Sequence, residues 1–360
     1  MEAWTGCMPA PRGIVHEARE LEESGWDGII VVDSQNLAGD SFVALAMAAT
    51  STGRLKLGTG VSNPVTRTAA VLASATATVH SVSRGRMTLG IGRGDSALAH
   101  LGRAPARLAQ FERYLRHLQT YLSGGEVPFD ELVDIPDASA PPVETLALAE
   151  TPDASRIGWI AGTAARDGKP LVEVAATGPK VIAIAARHAD RVMFALGASP
   201  ERVAWGIGVA RAAREAAGLD PDGLSFGAYV SCACHPDMET ARDMARGNLT
   251  VFARFAVMHG RTSGPLSERS REVMQKLRRA YDMHRHTQGD SAQAALLTPD
   301  FIEEYAAVGS PEQVFERLAR LRDLGLDKIV VNGNWRGARG GDGALARRLV
   351  ETEVLPALRA

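Results

Sequence analysis

Short β-branched runs alternate with longer Ala-, Leu- and Arg-rich segments of helical spacing along almost the whole chain. That alternation constrains the fold more than any other feature. A strand followed by a helix cannot reach its neighbour through a hairpin; it needs a crossover, and crossovers build parallel sheets. Strands are expected at residues 28–32, 55–60, 86–91, 171–176, 191–196, 224–234 and 328–332, with a short first strand within residues 1–8. Eight strands allow a closed barrel or an open doubly wound sheet. A barrel uses about 250 residues, so a chain of 360 residues fits one barrel with a surplus of about 110. The surplus falls in two insertions. The stretch near 124–168 is rich in Pro, Asp and Ala, and the stretch near 258–309 carries a charged helix over 267–286 and then a polar break. The expected architecture is a single (β/α)8 TIM barrel over residues 1–360 with insertions near 124–168 and 258–309.

Helix ends support this reading. Gly25 and Gly85 stand where helices from Ala10 and from Thr66 should stop. Ser199-Pro200-Glu201 places an N-cap before an N1 proline, and Ser310-Pro311-Glu312-Gln313 has the residues of a capping box. The last helix should run from Ala344 to about Val354, because Pro356 restrains the residue before it.

Composition sets the outer limits. Apolar residues make up 45% of the chain, enough for a full core, while 40 Lys and Arg balance 42 Asp and Glu. That balance gives no electrostatic case for nucleic acid or an anionic membrane surface. An aromatic content of 5% offers no stacking platform for single strands. The three cysteines, Cys7, Cys232 and Cys234, form no disulfide framework and suit a reducing compartment. No apolar run approaches a membrane span, and Met-Glu-Ala-Trp does not open like a signal peptide. A cytoplasmic protein is expected.

In a parallel barrel, chemistry gathers at the carboxyl ends of the strands. Four of these ends are glycine-rich: Gly58-Thr59-Gly60-Val61-Ser62-Asn63-Pro64, Gly90-Ile91-Gly92-Arg93-Gly94-Asp95, Ala175-Ala176-Thr177-Gly178-Pro179 and Gly197-Ala198-Ser199-Pro200. Glycine weakens a strand, so its recurrence here suggests close approach to a flat group or a phosphate. Each loop alone also reads as an ordinary βα turn. The Gly90–Gly94 run places its third glycine one residue early for a dinucleotide fingerprint, and no Walker A sequence occurs.

Taken together, the segments 57–64 and 85–95 closely resemble the luciferase-like monooxygenase superfamily. Within it they are most similar to the branch of F(420)-dependent methylene-tetrahydromethanopterin reductase. The resemblance extends to residues 26–33, 175–180, 189–190 and 308–312, and weakens in the insertions. It implies hydride transfer between a deazaflavin, coenzyme F(420), and a small organic substrate, with FMN as the alternative cofactor. It also implies a homodimer.

Residue by residue, the resemblance puts a non-prolyl cis peptide at Gly60–Val61 behind the ring. Ser62 and Asn63 would line the same loop, and Gly92, Arg93 and Gly94 the next. Arg93 would pair with an anionic ring or the acidic tail of F(420), or else reads as a solvated rim arginine. Ala176, Thr177, Gly178 and Pro179 open one helix, and Gly197, Ala198 and Ser199 open another; one of these N-termini would hold the cofactor phosphate. Ser199 is equally explained as an N-cap. Asp33 matches a family aspartate, and Ser34 beside it would contact the cofactor. Asp33 and Asp95 are the candidate acid and base, or else positioning groups. Two positions depart from the pattern: Ser34 stands where many relatives carry His or Asn, and Gly6 where the methanopterin reductase has a glutamate. Both changes remove proton donors and put that substrate in question.

Other constellations carry less. His284 and His286 would sit about 200° apart around a helix, so a solvated face is favoured over shared metal ligation. Cys232, Cys234 and His235 lack the second ligand pair of a zinc site. No metal is expected. Three functions remain open: an F(420)-dependent oxidoreductase, an FMN-dependent luciferase-like monooxygenase with residues 258–309 as a lid, and a cofactor-binding barrel without turnover.

Overall fold

A computed structural model describes residues 1–133, 135–136, 138–333 and 341–359. Among these described residues eleven strands occur in chain order: β1 (Glu2–Cys7), β2 (Gly28–Val31), β3 (Lys56–Thr59), β4 (Met87–Ile91), β5 (Glu126–Pro128), β6 (Ala154–Arg156), β7 (Leu171–Ala176), β8 (Arg191–Phe194), β9 (Ser225–Cys234), β10 (Ala307–Gly309) and β11 (Lys328–Gly333). Eight of them pair in parallel in the order β11-β1-β2-β3-β4-β7-β8-β9, and β9 pairs back to β11, which closes the barrel. All eight expected strands are present.

The pleat makes the barrel interior readable. Trp4, Ile30, Met193, Ala195, Tyr229 and Val330 form one inner cluster; in β1, β9 and β11 the residues two before or after them point inward as well. The outer faces of the strands pack against the helices, as Ile29, Val31, Leu57, Leu89, Val172, Val174, Val192 and Ile329 do in the largest core cluster. Strands buried on both sides need continuous apolar runs rather than alternation, and Gly28–Val31 and Met87–Ile91 are buried throughout.

Capping follows the sequence where a side chain can reach the backbone. Ser310 and Gln313 form the reciprocal box, and Ser199 accepts the Arg202 N–H. The helix expected from Thr66 begins at Ala69, with Thr68 as its N-cap. The first helix starts at Ile14 rather than Ala10, after a turn.

Two expectations need correction. The last helix does not stop before Pro356: Asp342–Leu349 passes through a π turn at Val350–Val354 and continues as Leu355–Arg359. Pro356 donates no N–H, and the wide turn just before it loosens the i−4 spacing that its ring would otherwise crowd. The charged helix spans only Glu268–Ala280, so His284 and His286 lie in and after a short 3-10 turn, Met283–Arg285. In the stretch near 124–168, β5 and β6 pair antiparallel, and a helix follows at Ile160–Asp167.

No helix among the described residues is long and apolar enough to cross a membrane. Among the described residues no group of His, Cys, Asp and Glu could hold a metal ion. Among the described residues Cys7, Cys232 and Cys234 are buried and form no disulfide, and burial raises the thiol pKa values of Cys232 and Cys234, which keeps these two unreactive.

Candidate cofactor and substrate site

The wall begins where β3 leaves the sheet. The Gly60 N–H donates to the Val31 carbonyl at 2.8 Å, and the chain then turns through a cis peptide at Gly60–Val61. It rejoins β4 at Ser62, whose N–H donates to the Gly90 carbonyl and whose carbonyl accepts the Gly92 N–H, both at 2.9 Å. Two glycines make this route possible. A Cβ on Gly60 would come within 2.4 Å of the Ile30 side chain, and one on Gly90 within 2.2 Å of the Thr59 carbonyl oxygen.

The next residues of the loop are fixed by polar contacts. The Ser62 hydroxyl donates to the buried Asp33 carboxylate, which also lies 3.6 Å from the Arg67 guanidinium. Asp33 therefore fixes Ser62. The Asn63 Oδ1 accepts the N–H groups of Val65 and Thr66 at 3.0 and 3.1 Å. Its Nδ2 is buried with no partner, and the residue is only 1% exposed.

The β4 loop packs on this wall. A Cβ on Gly92 would lie 3.1 Å from Val61, and one on Gly94, at φ +89°, would lie 3.2 Å from the Asn63 Cβ. Arg93 donates from Nε to the Ala106 carbonyl at 2.6 Å and meets His259 Nε2 at 3.2 Å. Burial lowers the pKa of Arg93; burial, Arg93 and Arg278 together lower that of His259. Asp95 forms an ion pair with Arg254, and the Ser34 and Ser96 hydroxyls lie 3.1 Å apart. The Arg254 guanidinium stands over the Tyr281 ring at 4.5 Å, and Tyr281 Oη meets His286 Nδ1 at 2.7 Å. A cavity of about 320 Å³ opens there, lined by Arg254, Met258, Arg278, Arg279, Tyr281 and Met283.

The two helix N-termini differ. Gly178 caps Pro179–His188 with no side-chain bond, and nothing lies within 4 Å of a Cβ placed there. Gly197, at φ +78°, is closed over by Tyr305, 2.5 Å from its Cβ position. The Ala198 N–H is already bonded to the Tyr305 carbonyl, and Ala198 and Ser199 are buried. The first N-terminus is free to take a ligand; the second is filled by the protein itself.

Sequence reasoning missed the inner rim opposite the wall. Ser231 on β9 and Asn332 on β11 are register partners, two residues beyond the inward Tyr229 and Val330. Strand parity would have found them. Arg254, Phe252 and Phe255, on the helix Met238–Val257, also reach the mouth, and only the tertiary fold brings them there.

A larger cavity of about 560 Å³ lies away from this rim, between the helix Leu108–Leu122, β5 and the end of the helix Pro179–His188. Among its lining groups His117 pairs with Glu131, and Arg187 and His188 both pair with Glu112.

A closed parallel barrel of eight strands, with glycine loops and unpartnered buried polar atoms at the carboxyl ends, defines a (β/α)8 protein whose candidate site lies at its mouth. Residues 2–328 match the family model described as luciferase-like monooxygenase. The chain belongs to that family, one of flavin- or F(420)-dependent oxidoreductases. It is 25% identical over 321 residues to the 5,10-methylenetetrahydromethanopterin reductase of Methanolobus tindarius, covering 88% of this chain and 89% of the relative. To the enzyme of the same name from Archaeoglobus fulgidus it is 25% identical over 344 residues, 94% and 93% of the two chains. The F(420)-dependent tetrahydromethanopterin reductase structure from Methanopyrus kandleri superposes with a TM-score of 0.71 at 20% identity, over 99% of both chains. An F(420)-dependent secondary alcohol dehydrogenase holding an F(420)-acetone adduct gives 0.69 at 16%, over 100% of this chain and 99% of the other. At such identities these two likenesses establish the fold.

Proposed function

We propose that this oxidoreductase uses coenzyme F(420) and passes a hydride between it and a small organic substrate. The observation that carries the reading is the buried Asn63 Nδ2, left without an acceptor on a wall built from Gly60, Val61, Ser62, Gly92 and Gly94. An unsatisfied buried donor costs about 1–3 kcal/mol, and a ring carbonyl or ring nitrogen of a bound cofactor would satisfy it. The relatives named as 5,10-methylenetetrahydromethanopterin reductases, with the solved tetrahydromethanopterin reductase described as coenzyme F(420)-dependent, favour the deazaflavin over FMN.

In this reading the ring rests against Gly60–Val61 and Gly92, with Ser34 at its edge. The phosphate takes the free N–H groups after Ala176, at Thr177 and Gly178, just ahead of Pro179 at the first helical position, where a helix N-terminus favours an anion. The start at Gly197, Ala198 and Ser199 is the weaker candidate, since its own residues fill it. Arg93 and the arginine-lined cavity beside it would draw the acidic tail. Reduced coenzyme supplies the hydride; the chain supplies placement and electrostatics. Asp33 acts through Ser62 and Asp95 through Arg254, so both serve as positioning residues.

Fluorescence titration of the purified protein with F(420) and with FMN, each oxidised and reduced, tests the proposal. F(420) should bind and FMN should not compete. Asn63→Asp keeps the acceptor for Val65 and Thr66 but removes the donor, and should weaken F(420) by about tenfold or more. Tight FMN binding with no response to F(420) overturns the proposal and favours the monooxygenase reading.

A further inference from the structure

Two inward donors stand side by side on the barrel wall and have nothing to donate to. Ser231 follows Tyr229 by two residues and Asn332 follows Val330 by two, so all four point into the barrel. Ser231 and Asn332 are partners in the β9–β11 register. A Cβ on Gly6 would lie 3.3 Å from Asn332 Oδ1, which places the amide over the glycine of β1. Ser231 is 2% exposed, and neither its hydroxyl nor the Asn332 Nδ2 has a partner. Buried polar groups are normally bonded, so two adjacent exceptions on the functional end of a barrel point to an acceptor that arrives with a ligand.

The surroundings tell what carries that acceptor. Below the donors, the Tyr229 ring is stacked by Phe252 at 6.3 Å, and Phe255 meets Phe252 edge-on at 5.9 Å. Both phenylalanines are half-buried, come from the helix after β9, and pack with Val61 and Ala175 against the inner cluster. A polyhydroxylated or highly charged body would lose its water against such a wall without replacement bonds.

Resting on the F(420) reading above, we propose that Ser231 and Asn332 receive the carbonyl oxygen of the substrate while Tyr229, Phe252 and Phe255 seat its apolar body. The substrates are then ketones, aldehydes or enones with an aryl or alkyl skeleton. In carbonyl reduction the cofactor C–H bond breaks and its electron pair forms the new C–H bond. The C=O π pair moves to oxygen, and the cofactor is oxidised by two electrons. The two donors stabilise the developing alkoxide. The one proton that neutralises the alkoxide comes from water at the mouth, since a hydroxyl and an amide donate hydrogen bonds without acting as acids at neutral pH.

The test follows oxidation of reduced F(420) by acetophenone and by dihydroxyacetone. Acetophenone should be the far better substrate. Ser231→Ala and Asn332→Ala should each lower kcat/KM about a hundredfold with F(420) affinity unchanged. Phe252→Ala should raise KM for acetophenone about tenfold and leave kcat nearly intact. Wild-type turnover in both donor variants, or a preference for dihydroxyacetone, overturns the proposal. Should F(420) fail to bind, thermal shift by acetophenone alone decides: a shift in wild type that Ser231→Ala abolishes supports the site, and no shift sinks it.

Discussion

At the amino ends of the strands the barrel is plugged by charges that are all accounted for; at the carboxyl ends it is lined by neutral polar atoms that are not. Glu173 takes both Lys328, at 2.7 Å, and Arg191. Arg191 also donates to Ser225 at 2.7 Å, and Ser225 to Asp327 at 2.6 Å. The Lys328 ammonium lies 3.3 Å from the centre of the Trp4 ring, whose Nε1 donates to Glu2 at 2.8 Å. Lys328 is 0% exposed and Glu173 2%. At the other end, Asn63, Ser231 and Asn332 keep buried atoms without partners. A fold can carry buried charge when every member is paired, and the paired end sets stability. Ser231 and Asn332 leave two unpartnered donors side by side at the end where a barrel keeps its active site, and the proposed function rests on that end.

The contrast can be broken most forcefully from below. Glu173→Gln leaves Lys328 and Arg191 facing each other without a carboxylate and should cost about 3–5 kcal/mol, read from urea unfolding; a loss near that of Ser231→Ala would erase the distinction between the ends. A smaller effect follows from pH. Burial, outweighing the attraction of Glu173, lowers the Lys328 pKa from 10.5 to about 8. Arg191 still balances Glu173 once the lysine is neutral. Between about pH 8 and 10.5 the unfolded chain holds a proton that the folded one has released, so this site's contribution to stability rises with pH across that window. Lys328→Met should flatten that rise, and an unchanged pH profile of the unfolding midpoint would count against it. The smallest effect belongs to the upper end: Gly178→Ala has free space and an ordinary φ of −94°, so stability should rise by about 0.4–1 kcal/mol while F(420) affinity falls. A gain in affinity would remove the phosphate from that helix.

Much of the barrel was legible because its signals are local. A β-branched run of five residues, a capping box at Ser310–Gln313 and glycines at Gly60 and Gly92 declare themselves within a few positions. The acid–base reading of Asp33 and Asp95 shows the opposite case. Sequence placed both carboxylates at strand ends but could not see that one is engaged by Ser62 and the other by Arg254, whose position is set by a helix more than 150 residues away. Equally, Gly178 and Gly197 look alike as helix openings. Only Tyr305, from a segment that read as part of an insertion, closes one and leaves the other free.

The sequence by itself determined the parallel barrel and the glycine wall, since periodicity, caps and close backbone approach are written in neighbouring residues. The tertiary structure alone decided which polar atoms go unsatisfied. Satisfaction is a property of partners, and the partners of Asn63, Ser231 and Asn332 would have to come from elements brought together only when β11 closes against β9 and β1.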